Sequence, residues 1–371
     1  MAMFSCVLVA ILDTGVDFTH PALEGVKGTS LNLVEDETEE ASYDGHGTAV
    51  ASIIAGNSKV IGGLAPMAEI LSVQVLNGEG IGDGYTVATG IIEAVDRGAE
   101  IINLSLGSAG PSLALEDAIE YARQKNVLVV ASVGNDGQRG VTFPARYDGV
   151  IGVTAVDAKG TQATFSNYGE GVDIGAPGAG VHAAWSDGSI VSFSGTSAAT
   201  PFVTGALAGM ISENRAMPRQ HLPDILYAHA NDDVMPGEDP YVGQGVLDVG
   251  RIAGRNQKGT YDIAITGYYF DLENFEGEGS TPFLVSVQNQ GTEWIDRATL
   301  EISYGEVSKT LRFANLGVGE VKSQELQLAA KHAEDPDGTR IISKVSLDSH
   351  QDADKDNNLR ISRITLPTKE K

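Results

Sequence analysis

From Val7 to about residue 210, short runs of uninterrupted apolar residues alternate with longer amphipathic stretches. Val7–Leu12, Ile70–Leu76, Ile101–Leu106, Val127–Val133 and Val150–Val156 predict strands buried on both faces, because a half-exposed strand would alternate polar and apolar positions. Thr86–Arg97 and Leu113–Gln124, which lie between them, carry the apolar spacing of helices. This order predicts an α/β fold, a parallel sheet with helices on both faces. Most of the predicted strands run into Gly, Asn or Asp, and sheets of this kind bind ligands at the carboxyl ends of their strands.

After Arg255 the pattern changes. Tyr261–Tyr269, Phe283–Gln288, Ala298–Tyr304, Lys309–Phe313, Ser323–Leu328, Ile341–Leu347 and Leu359–Leu366 are short β-rich runs separated by turn residues, which predicts an all-β antiparallel sandwich. With a boundary in Gly254–Lys258, the expected domains are residues 1–256 and 257–371.

Fifty acidic residues against 25 basic ones give a net charge of −25, so nucleic acid and anionic membrane surfaces are poor partners. Residues 1–256 hold 31 acids and 12 bases, and the remainder holds 19 and 13, so the acid load lies mainly on the first domain. Glu35–Glu40 reads as a solvated acidic loop. The single cysteine, Cys6, excludes a disulfide within the chain and zinc sites built on paired cysteines. The apolar run Phe4–Leu12 is too short to span a bilayer and lacks the preceding basic residue of a signal peptide. A buried strand is the better reading, with no membrane span expected.

Three segments carry chemistry. Ile11-Leu12-Asp13-Thr14-Gly15 puts a carboxylate where a buried strand stops. Asp44-Gly45-His46-Gly47-Thr48 puts an imidazole at the start of an apolar helix. Ser194-Gly195-Thr196-Ser197-Ala198-Ala199-Thr200-Pro201 puts a hydroxyl between permissive backbone and a helix whose first turn tolerates proline. Serine is a weak nucleophile until a base lies within hydrogen-bond reach, and the base needs a carboxylate to fix its tautomer.

In that order and spacing, the blocks around Asp13, His46 and Ser197 resemble those of subtilisin-like serine proteases, the subtilases, over roughly residues 5–254. Gly243-Gln244-Gly245-Val246-Leu247-Asp248 is similar to the segment that ends the family's catalytic domain. The resemblance implies a serine endopeptidase that needs no cofactor for its chemistry, with Asp13, His46 and Ser197 as the triad. It assigns Asn135, in the turn after Val129–Val133, to donate to the oxyanion beside the backbone N–H of Ser197. By the same resemblance Gly80, Ile81, Gly82, Ser105, Leu106 and Gly107 flank a bound peptide as strands. Ala131-Ser132-Val133 and Thr142-Phe143-Pro144 line the rest of the primary pocket. None of these is a charged floor, so an apolar or broad specificity is expected. His20, His182, His221, His229, His332 and His350 belong to no such constellation and read as structural or surface residues.

The chain also departs from the pattern. Subtilases commonly hold calcium through an acid just after the His-Pro that follows the catalytic aspartate, but here the stretch is His20-Pro21-Ala22-Leu23. The loop Gly56–Gly62 is short and carries Lys59, so the family's strong calcium site is expected to be lost. Asp352–Asn358 opens like an EF-hand loop but has Asn357 for its glycine and Arg363 for its glutamate, which predicts a polar turn. That turn, with Pro282–Thr292, resembles adhesion-type immunoglobulin-like modules of secreted prokaryotic proteins. Family members carry a signal peptide, a propeptide and an N-terminal mature segment before the catalytic aspartate, and the 12 residues preceding Asp13 show none of these. Secretion is therefore an expectation from resemblance. The substrates implied are proteins or peptides, and the sequence is silent on oligomeric state. A catalytically silent binding scaffold, and a ligase or cyclase using the same triad for acyl transfer, are the competing readings.

Overall fold

The computed structural model describes residues 6–34, 45–232, 235–270, 280–329 and 338–365. The predicted acidic loop Glu35–Glu40, together with Asp44, His332 and Leu366, lies outside the described residues. The chain divides into two compact units, Met1–Tyr227 with Pro240–Leu247, and Ala228–Asp239 with Asp248–Lys371. The sequence puts one boundary at 256/257, whereas by contacts two segments before it group with the second unit.

The first unit is built on seven parallel strands in the order β2-β3-β1-β4-β5-β6-β7. They are β1 (Leu8–Asp13), β2 (Gly28–Asn32), β3 (Glu69–Gln74), β4 (Ile101–Leu104), β5 (Leu128–Ser132), β6 (Val150–Val156) and β7 (Ile174–Pro177). A hairpin of β8 (Val181–Ala184) and β9 (Ile190–Phe193) follows. Helices α2 (Gly84–Asp96) and α3 (Leu113–Gln124) pack together on one face of the sheet, over Leu12, Val73, Leu104 and Ala131. Helices α1 (His46–Ala55) and α4 (Thr196–Glu213) pack together and against β1 and β4–β7 respectively, and α5 (Leu222–Ala228) follows. Apart from the exposed edge strand β2, the strands are largely buried on both faces, and β6 is buried along its whole length.

The strand order places a topological switch at β1, whose neighbours β3 and β4 come from opposite directions of chain progress. A crevice therefore opens beyond the carboxyl ends of β1 and β4. Asp13 ends the first strand and Ser105 follows the second. At the far edge, Gly243–Leu247 joins β7 through Gly175 N to Gly245 O at 2.9 Å and Leu247 N to Gly175 O at 2.8 Å.

In the second unit, after α6 (Val249–Gly254), come β10 (Ile263–Phe270), β11 (Ser280–Asn289), β12 (Ile295–Tyr304), β13 (Val307–Leu316), β14 (Val321–Ala329), β15 (Thr339–Leu347) and β16 (Leu359–Ile364). They form antiparallel sheets β10-β11-β14 and β13-β12-β15-β16 over a core that includes Phe283, Val285, Leu300, Tyr304 and Ile341. Asn289, fully buried, pins the turn after β11 by donating to the Glu293 and Leu316 carbonyls at 2.9 and 3.1 Å.

In the acidic turn Asp352–Asn358, the carboxylates of Asp352 and Asp354 accept from the protein's own donors. Asp352 accepts from Ile263 N and Asn358 Nδ2 at 3.3 and 3.0 Å, Asp354 accepts from Asp356 N at 2.9 Å, and Asp262 accepts from Asn357 Nδ2 at 2.8 Å. Among the described residues no group of three His, Cys, Asp or Glu side chains is gathered for a metal.

Burial, with Asp352 and Asp354 nearby, raises the Asp262 pKa from 3.8 to about 6 against the opposing hydrogen bond from Asn357. A carboxyl that holds its proton more tightly folded than unfolded contributes stability below pH 3.8, and that contribution is lost as pH rises through about 6. Asp262→Asn should flatten this slope. Melting midpoints of the wild type and the variant, taken from pH 3.5 to 7.5, should diverge across that window. Parallel curves would contradict the assignment.

Candidate active site

Asp13 is fully buried at the end of β1. Its Oδ1 accepts from Thr14 N at 2.7 Å and Thr14 Oγ1 at 3.3 Å, and lies 2.8 Å from His46 Nδ1. A carboxylate only accepts, so Nδ1 carries the hydrogen and the ring's lone pair belongs to Nε2. His46 opens α1, and Gly47 allows that helix to touch the strand end. A Cβ on residue 47 would lie 2.2 Å from the Gly15 carbonyl oxygen. Phe193, at the end of β9, meets the imidazole edge-to-face with centroids 5.3 Å apart, and Trp185 backs Phe193 at 6.0 Å.

Ser197 sits in the first turn of α4. Its Oγ donates to the Ser105 carbonyl at 3.1 Å, while Ser105 Oγ donates to the Ser197 carbonyl at 3.0 Å. The second bond has a local cause. Pro201 is the sixth residue of α4, beyond the first turn in which the sequence pattern puts it, and it lacks the N–H that would bond residue 197. The Ser105 hydroxyl satisfies the carbonyl instead. Behind it, Asn103 donates to Ser105 Oγ at 3.0 Å and accepts from Thr204 Oγ1 at 2.8 Å, both side chains fully buried.

Asn135 Oδ1 accepts from Thr196 N at 2.8 Å and Thr196 Oγ1 at 3.0 Å. A backbone N–H can only donate, so the amide orientation is fixed and Nδ2 is left as the donor facing the site. Ser197 N–H belongs to the helix's first turn, whose amides lack intrahelical partners. Between these two donors sits Gly195, at φ +144°. A Cβ built there lies 3.5 Å from Asn135 Nδ2 and 3.7 Å from Ser197 N. If Asn135 and the Ser197 N–H serve as the oxyanion donors that the family resemblance assigns, a side chain at 195 would crowd the space between them. Gly195→Ala should therefore lower turnover about 10²-fold or more while the protein still folds. Wild-type turnover in a folded alanine variant would remove this volume from the site.

His46, Gly80, Ile81, Gly82, Ser105, Leu106 and Gly107 line one cleft of about 430 Å³. Its apolar walls are Leu76, Val87, Leu106, Leu115 and Phe143. Ala131 and Ser132 do not line it. Ala131 is buried in the core, and Ser132 lies behind the wall with its Oγ donating to the Leu106 carbonyl at 3.3 Å. Asp83 reaches the rim, but caps α2 by accepting from Tyr85 N, Thr86 N and Thr86 Oγ1. The Thr86 hydroxyl, above all, holds its pKa below the ordinary value. A larger groove of about 690 Å³ lies at the amino ends of β4 and β5. There Glu100 pairs with Arg215 and Arg219 at 2.8 and 2.5 Å, and no residue of the Asp13–His46 constellation reaches it.

Of the other histidines, His20 is buried and structural. Its Nδ1 accepts from Ala22 N at 2.9 Å and its Nε2 lies 3.0 Å from the Ser189 carbonyl. Sequence reasoning missed Phe193, Trp185, Asn103 and Thr204, each of which supports the site through contacts that no local motif signals.

The Subtilase family model matches residues 5–245. The chain belongs to the subtilase family. This subtilase is 44% identical over 202 residues to the Thermostable alkaline protease of Halalkalibacterium halodurans, covering 54% of this chain and 55% of that protein. It is 43% identical over 212 residues to Subtilisin Savinase of Lederbergia lenta, covering 57% of this chain and 78% of the relative. The subtilase thus spans little more than half of the first relative's length. Among solved structures, the Prenylagaramide maturation protease PagA superposes with a TM-score of 0.58 at 33% identity, over 66% of this chain and 91% of that one.

Proposed function

We propose that this subtilase is an extracellular serine endopeptidase working through Asp13, His46 and Ser197. The observation that carries the reading is the 2.8 Å contact of a fully buried Asp13 carboxylate with His46 Nδ1. Ser197 Oγ attacks the scissile carbonyl, and its proton passes to His46 Nε2. Asp13 stabilises the resulting imidazolium, while Asn135 Nδ2 and Ser197 N–H hold the oxyanion. Collapse of the tetrahedral intermediate breaks the C–N bond as His46 returns the proton to the leaving amine. Water, deprotonated by His46, then hydrolyses the acyl-enzyme.

The cleft walls favour an apolar side chain in the substrate, because the charge of Asp83 is engaged by its own helix. Digestion of an unbiased peptide library tests this. Cleavage sites should be enriched in large apolar residues on the acyl side, and enrichment in lysine or arginine would contradict it. The same library addresses acyl transfer, a reading favoured by the similarity to a maturation protease. Ligated or cyclised masses would support transfer, and hydrolysed masses alone support the endopeptidase.

Calcium does not fit where the family commonly binds it. Ala22 clusters with Ile61 and Ala184, and the Ala22 carbonyl accepts from Asn57 N at 2.8 Å. Ala22 supplies no side-chain oxygen where the family places its acid, and its carbonyl is already engaged, which is a poor donor set for a hard cation. EDTA should therefore move the melting midpoint very little. A drop of more than about 8 °C would mark a strong site.

For the second unit we propose an adhesion-type immunoglobulin-like module. No helix among the described residues is long and apolar enough to cross a membrane.

A further inference from the structure

Asn167 is 1% exposed, and its side chain is engaged at both ends. Its Oδ1 accepts from Asp136 N at 2.9 Å and Gln138 N at 3.4 Å, and its Nδ2 donates to the Val133 carbonyl at 3.3 Å and to Asp136 Oδ2 at 3.4 Å. Backbone donors and a backbone acceptor on opposite ends fix the amide orientation. Its own N–H donates to the Gly134 carbonyl at 3.0 Å. The five partners thus come from Val133, Gly134, Asp136 and Gln138, which bracket Asn135 on both sides.

Asn167 is itself anchored. Gln162 Nε2 lies 3.2 Å from the Asn167 carbonyl, 3.0 Å from the Tyr241 carbonyl and 3.1 Å from Thr154 Oγ1. Two flanking bonds, Gly137 N to Phe165 O at 2.7 Å and Gly140 N to Tyr168 O at 2.8 Å, lace the same loop to the same segment. Asn135 is consequently fixed twice. Asn167 sets its backbone, and the Thr196 N–H holds the tip of its side chain at 2.8 Å.

We infer that Asn167 is a positioning residue for the oxyanion donor, acting through the backbone of the Gly134–Gln138 loop without touching the substrate. The inference rests on the proposed role of Asn135. A donor preorganised at hydrogen-bond distance from a developing charge loses most of its worth when displaced by about 1 Å.

The test is a double-mutant cycle with kcat and KM measured separately on one peptide substrate. Asn135→Ala alone should lower kcat about 10²–10³-fold. Asn167→Ala should lower kcat about tenfold or more with KM within about twofold, since ground-state contacts are untouched. In the Asn167→Ala background, Asn135→Ala should cost at least about tenfold less than in the wild type, the sign of two residues serving one interaction. Affinity for a peptide aldehyde, which places an oxyanion in the site, should fall in parallel with kcat. Circular dichroism establishes that each variant is folded, and Asn167→Ser replaces the alanine if that variant does not fold.

Penalties that multiply, or a loss confined to KM, would overturn the inference while leaving Asn135 in its role. An unchanged kcat in Asn135→Ala would instead remove the oxyanion reading, and the inference with it.

Discussion

Ser197→Ala should fold normally and lose about 10⁶-fold in turnover, the scale established for the nucleophile of a subtilisin. The fold should survive because the substitution removes one neutral hydrogen bond, from Ser197 Oγ to the Ser105 carbonyl at 3.1 Å, worth about 1 kcal/mol. The reciprocal bond from Ser105 Oγ involves the residue 197 backbone and stays. Turnover should not fall to the rate in water. Asn135, the residue 197 N–H and the cleft remain, and such remnants retain about 10³–10⁴-fold over the uncatalysed reaction. The measurement is single-peptide turnover beside a melting curve. A folded variant with more than a few per cent of wild-type activity would take Ser197 out of the mechanism.

Asp13→Ala should cost about 10⁴-fold, again a subtilisin scale and less than the loss of Ser197 or His46. Asp13 Oδ1 is the acceptor that keeps the hydrogen on His46 Nδ1, and with it gone the imidazole is free to adopt the unproductive tautomer. Phe193 still packs on the ring, so His46 keeps a neighbour but loses the charge that stabilises its protonated form. The penalties should not multiply. In a Ser197→Ala background, Asp13→Ala should cost almost nothing further, because His46 no longer has a serine proton to accept. Independent, multiplying losses would mean that the residues do not act as one unit.

The parallel sheet was legible because strands covered on both faces must be apolar throughout, as in Val150–Val156. The strands that escaped notice lack that signal. β2 is a largely exposed edge strand, Gly-Thr-Ser-Leu-Asn, and β7, β8 and β9 are four residues each. The β8–β9 hairpin mattered most, since it delivers Phe193 to His46.

Asp13, His46, Ser197 and Asn135 were legible because each sits in a local motif. Their supports were not. Thr204 and Asn167 act on residues 101 and 34 positions away, across contacts that no local spacing encodes, and Asn103, inside a strand whose apolar pattern signals only burial, reaches Ser105 two positions on. Pro201 shows the same limit within one helix. Its place looked like mere tolerance of proline, whereas its missing N–H frees the carbonyl that Ser105 then holds.

The measurement that bears most directly on the central claim is labelling of the full chain with a fluorophosphonate probe, followed by mass spectrometry of the digested adduct. Phosphonylation needs an activated serine beside a working base and an oxyanion hole. The account predicts one adduct per chain, on Ser197, abolished by Ser197→Ala and strongly slowed by His46→Ala. A folded protein that takes no label, or takes it on another residue, would contradict the account.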